Sequence, residues 1–464
     1  MSPARMLLLF MAISLPFSPL IGIEISNRAG KTIEVEVLQI EPSRIQIRMT
    51  NGQTTWLERS MLSEKSQSLI NDSETSEKDS YMELNALLGI DLFTDTELWD
   101  DTAETVAKRL GWPKESLTNT QSSYRKYPKE DYRILDSRPY SAVLYGNEGE
   151  TSSISIVFAN KGDFKFSEPP TEDEIENMED AIEVDAKRIE QLLTRLLGEA
   201  ERQQYGSGRG IKQLKKRWDW KDHAFLLASR KAEYVSLNIL KRETADNKGR
   251  GNKISDARLR EQNLAQIIRE ENGDIRIGNI PMVNQGPKGY CVPATFERYL
   301  RYLNMPADMY TLAMTGQTDI GGGTSLSRII DSIEGYVASQ NRSMKRIETE
   351  IDVRTVRKYI DKGLPIIWSM FSTKEYNEFA NKRTEERKKT IDWAAWKEAT
   401  KRSIRNLKLG QSYESAHACM IVGYNRETDE IAVSDSWGPK YELRWLPAAH
   451  AEQVSQSVIY LIEY

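Results

Sequence analysis

The chain has 464 residues, of which 39% are hydrophobic and 29% are charged, so it can bury at least one full core and has a length typical of two to four domains. Its 64 basic and 69 acidic residues give a net charge of −5. This balance argues against nucleic acid as the main partner, because phosphate binding needs a concentrated basic surface. Three histidines and two cysteines are too few and too scattered for a structural zinc site, and we expect no metal or cofactor.

The first residues have the layout of a secretory signal peptide. Arg5 precedes the apolar run "MLLLFMAISLPF", which is too short to span a bilayer. We expect cleavage near Gly22, so that residues 1–22 form the signal peptide. No later stretch reaches eighteen apolar residues, and we therefore expect an exported protein, periplasmic or secreted, without a transmembrane anchor. Oxidising conditions there would allow a disulfide between Cys291 and Cys419.

Residues 23–72 alternate apolar and polar side chains with period two, which predicts a small barrel of short strands. The stretch resembles the SH3-like barrel module that bacteria place near the N-terminus of many exported multidomain proteins. The resemblance rests on "AGKTIEVEVLQI", "RIQIRMTNGQTTWLERSMLS" and the closing Leu69. It implies either an interaction or spacing module, with a protein or cell-envelope ligand, or a stabilising cap that binds nothing.

Residues 80–243 follow a polar stretch and are predicted to form an α+β middle domain. Helical spacing in "DTAETVAKRLGW" precedes strand-like segments, a long helix and further strands. Trp218, Trp220 and His223 form either an aromatic ligand site or part of the packing, which is the commoner role of aromatic residues at alternating strand positions. The run 242–253 has the composition of a linker, so we predict that residues 255–464 form a separate domain in an α+β multidomain protein.

The context of Cys291 indicates a reactive thiol. Four apolar residues after it recur at helical spacing: Phe296, Tyr299, Leu300 and Leu303. This spacing places Cys291 at or before the first turn of a helix, where Pro293 is also well tolerated. Unpaired N–H groups and the positive end of the helix dipole favour a thiolate over a thiol at that position. The alternatives are a disulfide with Cys419 and a small buried side chain.

A nucleophilic thiol needs a base, and the base needs an acceptor that orients it. "SAHACMIVGYN" is a strand pattern with His417 at its start, and "EIAVSDSWG" is the next strand, with Asp435 at its end. A hairpin would bring the two side chains together, so that the carboxylate accepts from one imidazole nitrogen while the other faces the thiol. His223 and His450 lack comparable settings and are interpreted as surface or packing residues.

These residues resemble papain-like cysteine peptidases, in particular the bacterial peptidases that trim double-glycine leader peptides, over about 278–464. Gln285 stands six residues before Cys291, as the family's oxyanion-hole glutamine stands before its cysteine. "HACMIVGYN" is similar to the family's histidine strand. "DSWG" is similar to its Asn-Ser-Trp-Gly, with Asp435 in place of asparagine, as is usual in the leader-peptidase branch. The resemblance implies a helix that carries the cysteine packed on an antiparallel sheet, with Cys291, His417, Asp435 and Gln285 as catalytic residues.

Two further features are assigned to substrate binding. In papain-like enzymes a Gly-Gly pair before the next helix pairs its backbone with substrate, and Gly322-Gly323 is similar to it; a turn that starts a helix is the alternative. Trp437 would shield the hydrogen bond between His417 and Asp435 from water. The basic helical segment 372–409, before His417, is interpreted either as a lid or as a solvated decoration.

The sequence thus predicts an exported cysteine peptidase that hydrolyses peptide bonds through a thioester and acts on a peptide or protein substrate. A transglutaminase-like or amidase acyltransferase would use the same residue order, and a catalytically silent binding protein is a third hypothesis. A disulfide between Cys291 and Cys419 would silence the enzyme. We expect Asp435→Asn to retain more activity than Asp435→Ala, because an amide can still accept the hydrogen bond from the imidazole.

Overall fold

The computed structural model describes residues 20–41, 43–94, 98–206, 211–250, 253–320 and 323–464. Most of the predicted signal peptide and Gly322 therefore lie outside the described residues. By its contacts the chain divides into two compact units, of which the first ends at Thr102 and the second is Ala103–Tyr464. Within the described ranges, none of the helices combines the length and apolarity that crossing a lipid bilayer requires.

The first unit contains a four-stranded antiparallel sheet in which each strand pairs with the next. Its strands are β1 (Leu20–Ser26), β2 (Thr32–Ile40), β3 (Arg44–Met49) and β4 (Thr54–Glu58). Val35, Val37, Ile45 and Ile47 alternate with more exposed residues and are buried, as a period-two pattern requires. The predicted region does contain short strands, although β1 begins at Leu20, inside the predicted signal peptide. The SH3-like assignment stays a prediction.

The chain returns from β4 to the end of β1 and then enters a long helix. After a 3-10 turn (Arg59–Met61), Leu62 forms an isolated bridge with Asn27. Helix α1 (Glu64–Leu88) follows; its N-cap Ser63 accepts from the backbone N–H of Ser66 at 3.2 Å. The polar stretch between the first two predicted domains is therefore helical.

The first half of the second unit is an eight-stranded antiparallel sheet in the order β5-β6-β7-β8-β12-β11-β10-β9, which we call the accessory sheet. Its elements are α2 (Ala103–Leu110), β5 (Lys114–Leu117), β6 (Gln121–Lys126), β7 (Ser141–Asn147), β8 (Glu150–Asn160), α3 (Glu172–Leu197), β9 (Glu201–Tyr205), β10 (Gln213–Trp220), β11 (His223–Arg230), β12 (Tyr234–Lys241) and α4 (Arg242–Asp246). Helix α3 starts with a capping box between Thr171 and Glu174 and packs on the sheet. Trp218 is buried and donates to the carbonyl oxygen of Gly198 at 3.0 Å, which is a packing role.

The second half contains the other sheet, in the order β13-β14-β17-β16-β20-β15, with β18 paired to β17 and β19. Its elements are α5 (Asp256–Ala265), β13 (Ile267–Arg269), β14 (Asp274–Ile277), α6 (Cys291–Tyr302), α7 (Met309–Thr315), α8 (Leu326–Ser339), β15 (Ser343–Glu348), α9 (Val353–Ile360), β16 (Ile366–Phe371), α10 (Lys374–Arg387), α11 (Trp393–Asn406), β17 (Ala416–Asn425), β18 (Glu430–Ser434), β19 (Arg444–Pro447), α12 (Ala448–Val454) and β20 (Ser455–Glu463). Helix α6 packs against β17. Antiparallel sheets combined with helices are consistent with the predicted α+β class.

The two halves of the second unit share a hydrophobic core. Tyr140, Val157 and Tyr234 of the accessory sheet region pack in one cluster with residues around α6 and α7: Val283, Tyr290, Ala294, Met309, Tyr310 and Ala313. The predicted linker 242–253 begins with α4 and joins these halves. The linker therefore lies between two regions of the sequence that share one hydrophobic core in the folded chain.

Candidate active site

Cys291 is the first residue of α6 and is half-buried. The N-cap residue Tyr290 makes no side-chain cap, so the first-turn N–H groups are not taken by a capping side chain. The helix is fixed to the sheet by buried polar contacts. Thr295 donates to the carbonyl oxygen of Ala418 at 3.1 Å, and Arg298 donates to the hydroxyl of Ser434 at 2.5 Å. These contacts hold the start of α6 beside β17 and the end of β18.

His417 is the second residue of β17, and Asp435 directly follows β18. The two strands are antiparallel with Met420 opposite Ser434, so both side chains lie at the same end of the hairpin. His417 Nε2 lies 3.1 Å from Asp435 Oδ1. Nδ1 is the remaining ring nitrogen, and the His417 and Cys291 side chains are close enough for each to shift the pKa of the other. The structure therefore brings the three predicted residues together at one place.

The electrostatics of this group favour an ion pair between sulfur and imidazole. Burial by itself raises the pKa of Cys291, but the hydrogen bond and charge of His417, with backbone N–H groups, lower it below the ordinary thiol value. Burial likewise opposes the charged imidazole, yet Asp435 and Cys291 raise the pKa of His417 to about 9. The directions are opposite, as a thiolate next to an imidazolium requires.

Arg444 also belongs to the site, where it binds Asp435, and the sequence pattern did not reveal it. It is buried and donates to Asp435 Oδ2 from Nε at 3.0 Å and from Nη2 at 2.5 Å. Although burial raises the pKa of Asp435, the Arg444 charge and the bond to His417 outweigh it and lower that pKa. Asp435 is thus held as a carboxylate with one oxygen for Arg444 and the other for His417.

Gln285 lies beside the same strand end. Its backbone N–H donates to the carbonyl oxygen of Ser436 at 2.8 Å, which ties it to the residue after Asp435. Its side-chain nitrogen donates to the carbonyl oxygen of Lys288 at 3.3 Å, and its Oε1 is buried without a hydrogen-bond partner. An amide nitrogen carries two hydrogens, so one donor remains for another acceptor near the start of α6.

Two of the residues assigned to substrate binding, Trp437 and Gly323, lie within the described residues. The ring of Trp437 lies 4.8 Å from the ring of His417, measured between centroids, and Trp437 is half-buried. Gly323 has φ +100° and donates to the carbonyl oxygen of Gly289 at 3.2 Å, which places it beside the loop that leads to Cys291. Gly322 falls outside the described residues.

The inserted segment before His417 contributes to the site through α10. Arg444 donates from Nη1 to Asn377 Oδ1 at 3.0 Å and to Asn381 Oδ1 at 3.3 Å. The inner face of α10 is buried: Tyr376, Ala380, Arg383, Thr384 and Arg387. The helix is therefore not a solvated decoration, because it supports the guanidinium behind Asp435.

The remaining candidates, Cys419, His223 and His450, are buried. Both cysteines are free thiols, and burial raises the pKa of Cys419 well above the ordinary value. His223 and His450 are fully buried, and burial lowers their pKa values to about 3 and about 4. In the part of the chain that the structure describes, no group of three or more His, Cys, Asp or Glu side chains is arranged to hold a metal ion.

Comparison with known families gives a match for part of the chain. Residues 277–457 match the model of the Peptidase_C39 like family, and this range contains Gln285, Cys291, His417 and Asp435. A comparison with curated proteins finds no match for the chain. The family match supports the peptidase resemblance for the second half of the second unit.

Proposed function

We propose that the second unit is a cysteine peptidase in which Cys291, His417 and Asp435 act as the catalytic triad. The observation that carries this proposal is the placement of Cys291, at the start of a helix without a capping side chain, beside His417, whose Nε2 lies 3.1 Å from Asp435 Oδ1. The family match of residues 277–457 supports the same reaction class. Nucleophile, base and orienting acceptor are the three roles that thiol acyl transfer requires.

In the proposed reaction the Cys291 thiolate attacks the carbonyl carbon of a peptide bond. The backbone N–H of Cys291 and the amide of Gln285 stabilise the negative charge that develops on the oxygen. Protonated His417 gives its proton to the leaving amine as the C–N bond breaks, which leaves a thioester. His417 then accepts a proton from water, the resulting hydroxide attacks the thioester, and the acid product leaves as the thiolate forms again. Asp435 keeps the imidazole oriented through both steps.

The test uses the full chain with an electrophilic peptide probe for cysteine peptidases and a fluorogenic peptide mixture. We expect the probe to label Cys291 and peptides to be cleaved, and Cys291→Ala to lose both. Addition of a primary amine distinguishes the acyltransferase alternative, because an amide product in place of the acid would assign acyl transfer to the amine. If Cys291 resists both the probe and iodoacetamide in folded, reduced protein, the peptidase proposal fails and the binding-protein hypothesis replaces it.

We further propose that the protein is exported, on the basis of Arg5 and the apolar run that follows it. Cleavage near Gly22 would remove the first residues of β1 and leave Ile23 paired with Val35. The intact mass of protein recovered from outside the cytoplasm should show loss of about 22 residues. Recovery of only full-length protein from the cytoplasm would contradict export. For the N-terminal sheet we retain the proposal of an SH3-like module with a protein or cell-envelope ligand.

A further inference from the structure

The loop that carries Gln285 is held by the accessory sheet. We call Met282–Gly286 the oxyanion segment. The backbone N–H of Asn284 donates to Glu115 Oε1 at 2.7 Å, and the hydroxyl of Tyr127 donates to the Asn284 carbonyl oxygen at 2.6 Å. Both backbone groups of the residue before Gln285 are therefore bound by side chains at the β5-β6 edge of the accessory sheet.

The Glu115 carboxylate, which accepts from Asn284, is held in place by other hydrogen bonds. Glu115 is buried and receives hydrogen bonds from Arg125 Nε at 2.6 Å and from the Ser123 hydroxyl at 2.9 Å. The next residue, Ser116, accepts from the backbone N–H of Met282 at 2.9 Å. A buried carboxylate whose other bonds are satisfied keeps one orientation, so the Asn284 N–H meets an acceptor that does not need to reorganise.

The other side of the oxyanion segment is equally constrained. Gly286 has φ +73°, and a Cβ there would lie 2.7 Å from the Tyr127 ring, so this ring packs directly against the backbone after Gln285. Gly286 N–H also donates to Asn284 Oδ1 at 3.0 Å. Gln285 itself is bound by Ser436 at 2.8 Å, as described above. The glutamine is thus placed between the accessory sheet on one side and the strand end with Asp435 on the other.

We propose that Glu115 and Tyr127 are positioning residues for Gln285, so that the accessory sheet is part of the catalytic apparatus. The proposal rests on the proposed peptidase function, because it assigns a role in oxyanion stabilisation. Donors of an oxyanion hole act only if they are held where the charge develops, and an error of about 1 Å is costly. The residues that hold Gln285 come from a region in which the sequence shows no chemistry of its own.

The clean test is Tyr127→Phe, which removes one hydroxyl and keeps the ring against Gly286. The matched control is Tyr132→Phe, because Tyr132 is similarly half-buried and its hydroxyl accepts from Trp112 Nε1 at 3.2 Å, within the accessory sheet region. Each variant loses one hydrogen bond. Only Tyr127→Phe loses a hydrogen bond to the oxyanion segment.

We expect Tyr127→Phe to lower kcat by about 3- to 10-fold per titrated active site, the range that one hydrogen bond supports, with KM within about twofold. The alkylation rate of Cys291 by iodoacetamide should stay unchanged, since thiolate formation does not use Gln285. Tyr132→Phe should leave kcat within about twofold of the parent, a difference well below one hydrogen bond. An unchanged kcat in Tyr127→Phe, with an active parent, would overturn the proposal.

Two further measurements separate this proposal from the peptidase assignment. Hydrogen exchange of the backbone N–H groups of residues 284–286 should be faster in Tyr127→Phe than in Tyr132→Phe, whether or not peptides are cleaved. Equal exchange would overturn the positioning role even if the parent proved inactive. Glu115→Gln can still accept from Asn284 and should therefore retain more turnover than Glu115→Ala at equal folded fraction. Equal losses would assign Glu115 to stability alone.

Discussion

Strand β18 has a buried carboxylate at each end, and the two ends serve different purposes. At its start, Glu430 accepts from Arg383 Nε and from Arg387 Nε, both at 2.9 Å. Arg387 also donates two hydrogen bonds to Asp274, at 2.6 and 2.8 Å. Two carboxylates therefore meet two guanidinium groups. Beyond the other end, Asp435 shares its two oxygens between one guanidinium and one imidazole.

The two clusters differ in their cations. The cations of the Glu430 cluster are guanidinium groups, whereas the Asp435 cluster also contains an imidazole, which can donate or accept a proton. At the Glu430 end, hydrogen bonds between two guanidinium groups and two carboxylates link α10, β14 and β18. At the Asp435 end, Arg444 holds the carboxylate and His417 is the partner whose charge changes with its surroundings. Helix α10 contacts both clusters, because it carries Arg383 and Arg387 as well as the two asparagines bound to Arg444.

The largest expected effect comes from Cys291→Ala, which leaves both clusters intact and removes only the nucleophile. Turnover and probe labelling should fall below detection, while the melting temperature stays close to that of the parent. Cys419→Ser is the control, since Cys419 is a buried thiol on β17 that has no role in the proposed triad; the activity of this variant should persist without reductant. Peptide cleavage by Cys291→Ala at the parental rate would mean that the chemistry lies elsewhere.

The sequence was sufficient for the local parts of this arrangement. Helical spacing placed Cys291 at the start of α6, and alternation placed His417 on one strand and Asp435 at the end of its partner strand, because these patterns follow from the periods of helix and strand. Helix α1 was missed as an element, since its polar residues give no apolar stripe to read.

The residues that support the site could not be predicted from local sequence patterns. Arg444 is one arginine among many basic residues, and only the tertiary fold brings it to Asp435. Glu115 lies 169 residues before Asn284, so that no local spacing joins them. Long-range partners of this kind have no sequence period, whereas the motif residues lie at fixed offsets within single elements.

The second prediction concerns Asp435, where the structure changes the expectation from sequence. Arg444 makes two bonds to Oδ2, so an asparagine would turn its oxygen to Arg444 and present its NH₂ group to His417. Asp435→Asn should therefore lose about 10³-fold in kcat, close to Asp435→Ala, because the imidazole takes the wrong tautomer. Kinetics of both variants at equal active-site concentration decide this. A clear advantage of asparagine would restore the expectation drawn from sequence alone.

The third prediction compares the two ends of β18 directly. Arg444→Met and Arg387→Met each remove a buried guanidinium, and each should lower the free energy of unfolding by about 3–5 kcal/mol in urea titrations. Only Arg444→Met should lower kcat per folded molecule, by about 10- to 100-fold, since it frees Asp435 to move. Arg444→Lys and Arg387→Lys provide a milder pair if either methionine variant does not fold. Equal losses of kcat in Arg444→Met and Arg387→Met would show that the two clusters do not differ in their contribution to turnover.

The smallest expected effects are those of pH, and they test whether His417 is the titrating partner. The pKa of Cys291 is lowered from the ordinary thiol value and that of His417 is raised to about 9, and these directions favour a thiolate beside an imidazolium below about pH 9. Turnover should therefore fall about tenfold per pH unit above about 9, where His417 loses the proton that the leaving amine needs. Alkylation of Cys291 should not fall there, since the thiolate remains. Cys419, whose pKa burial raises, should stay unmodified in the folded protein throughout. If the alkylation rate of Cys291 and turnover both fall at alkaline pH, the protein is unfolding. If turnover does not change above about pH 9, His417 is not the proton donor.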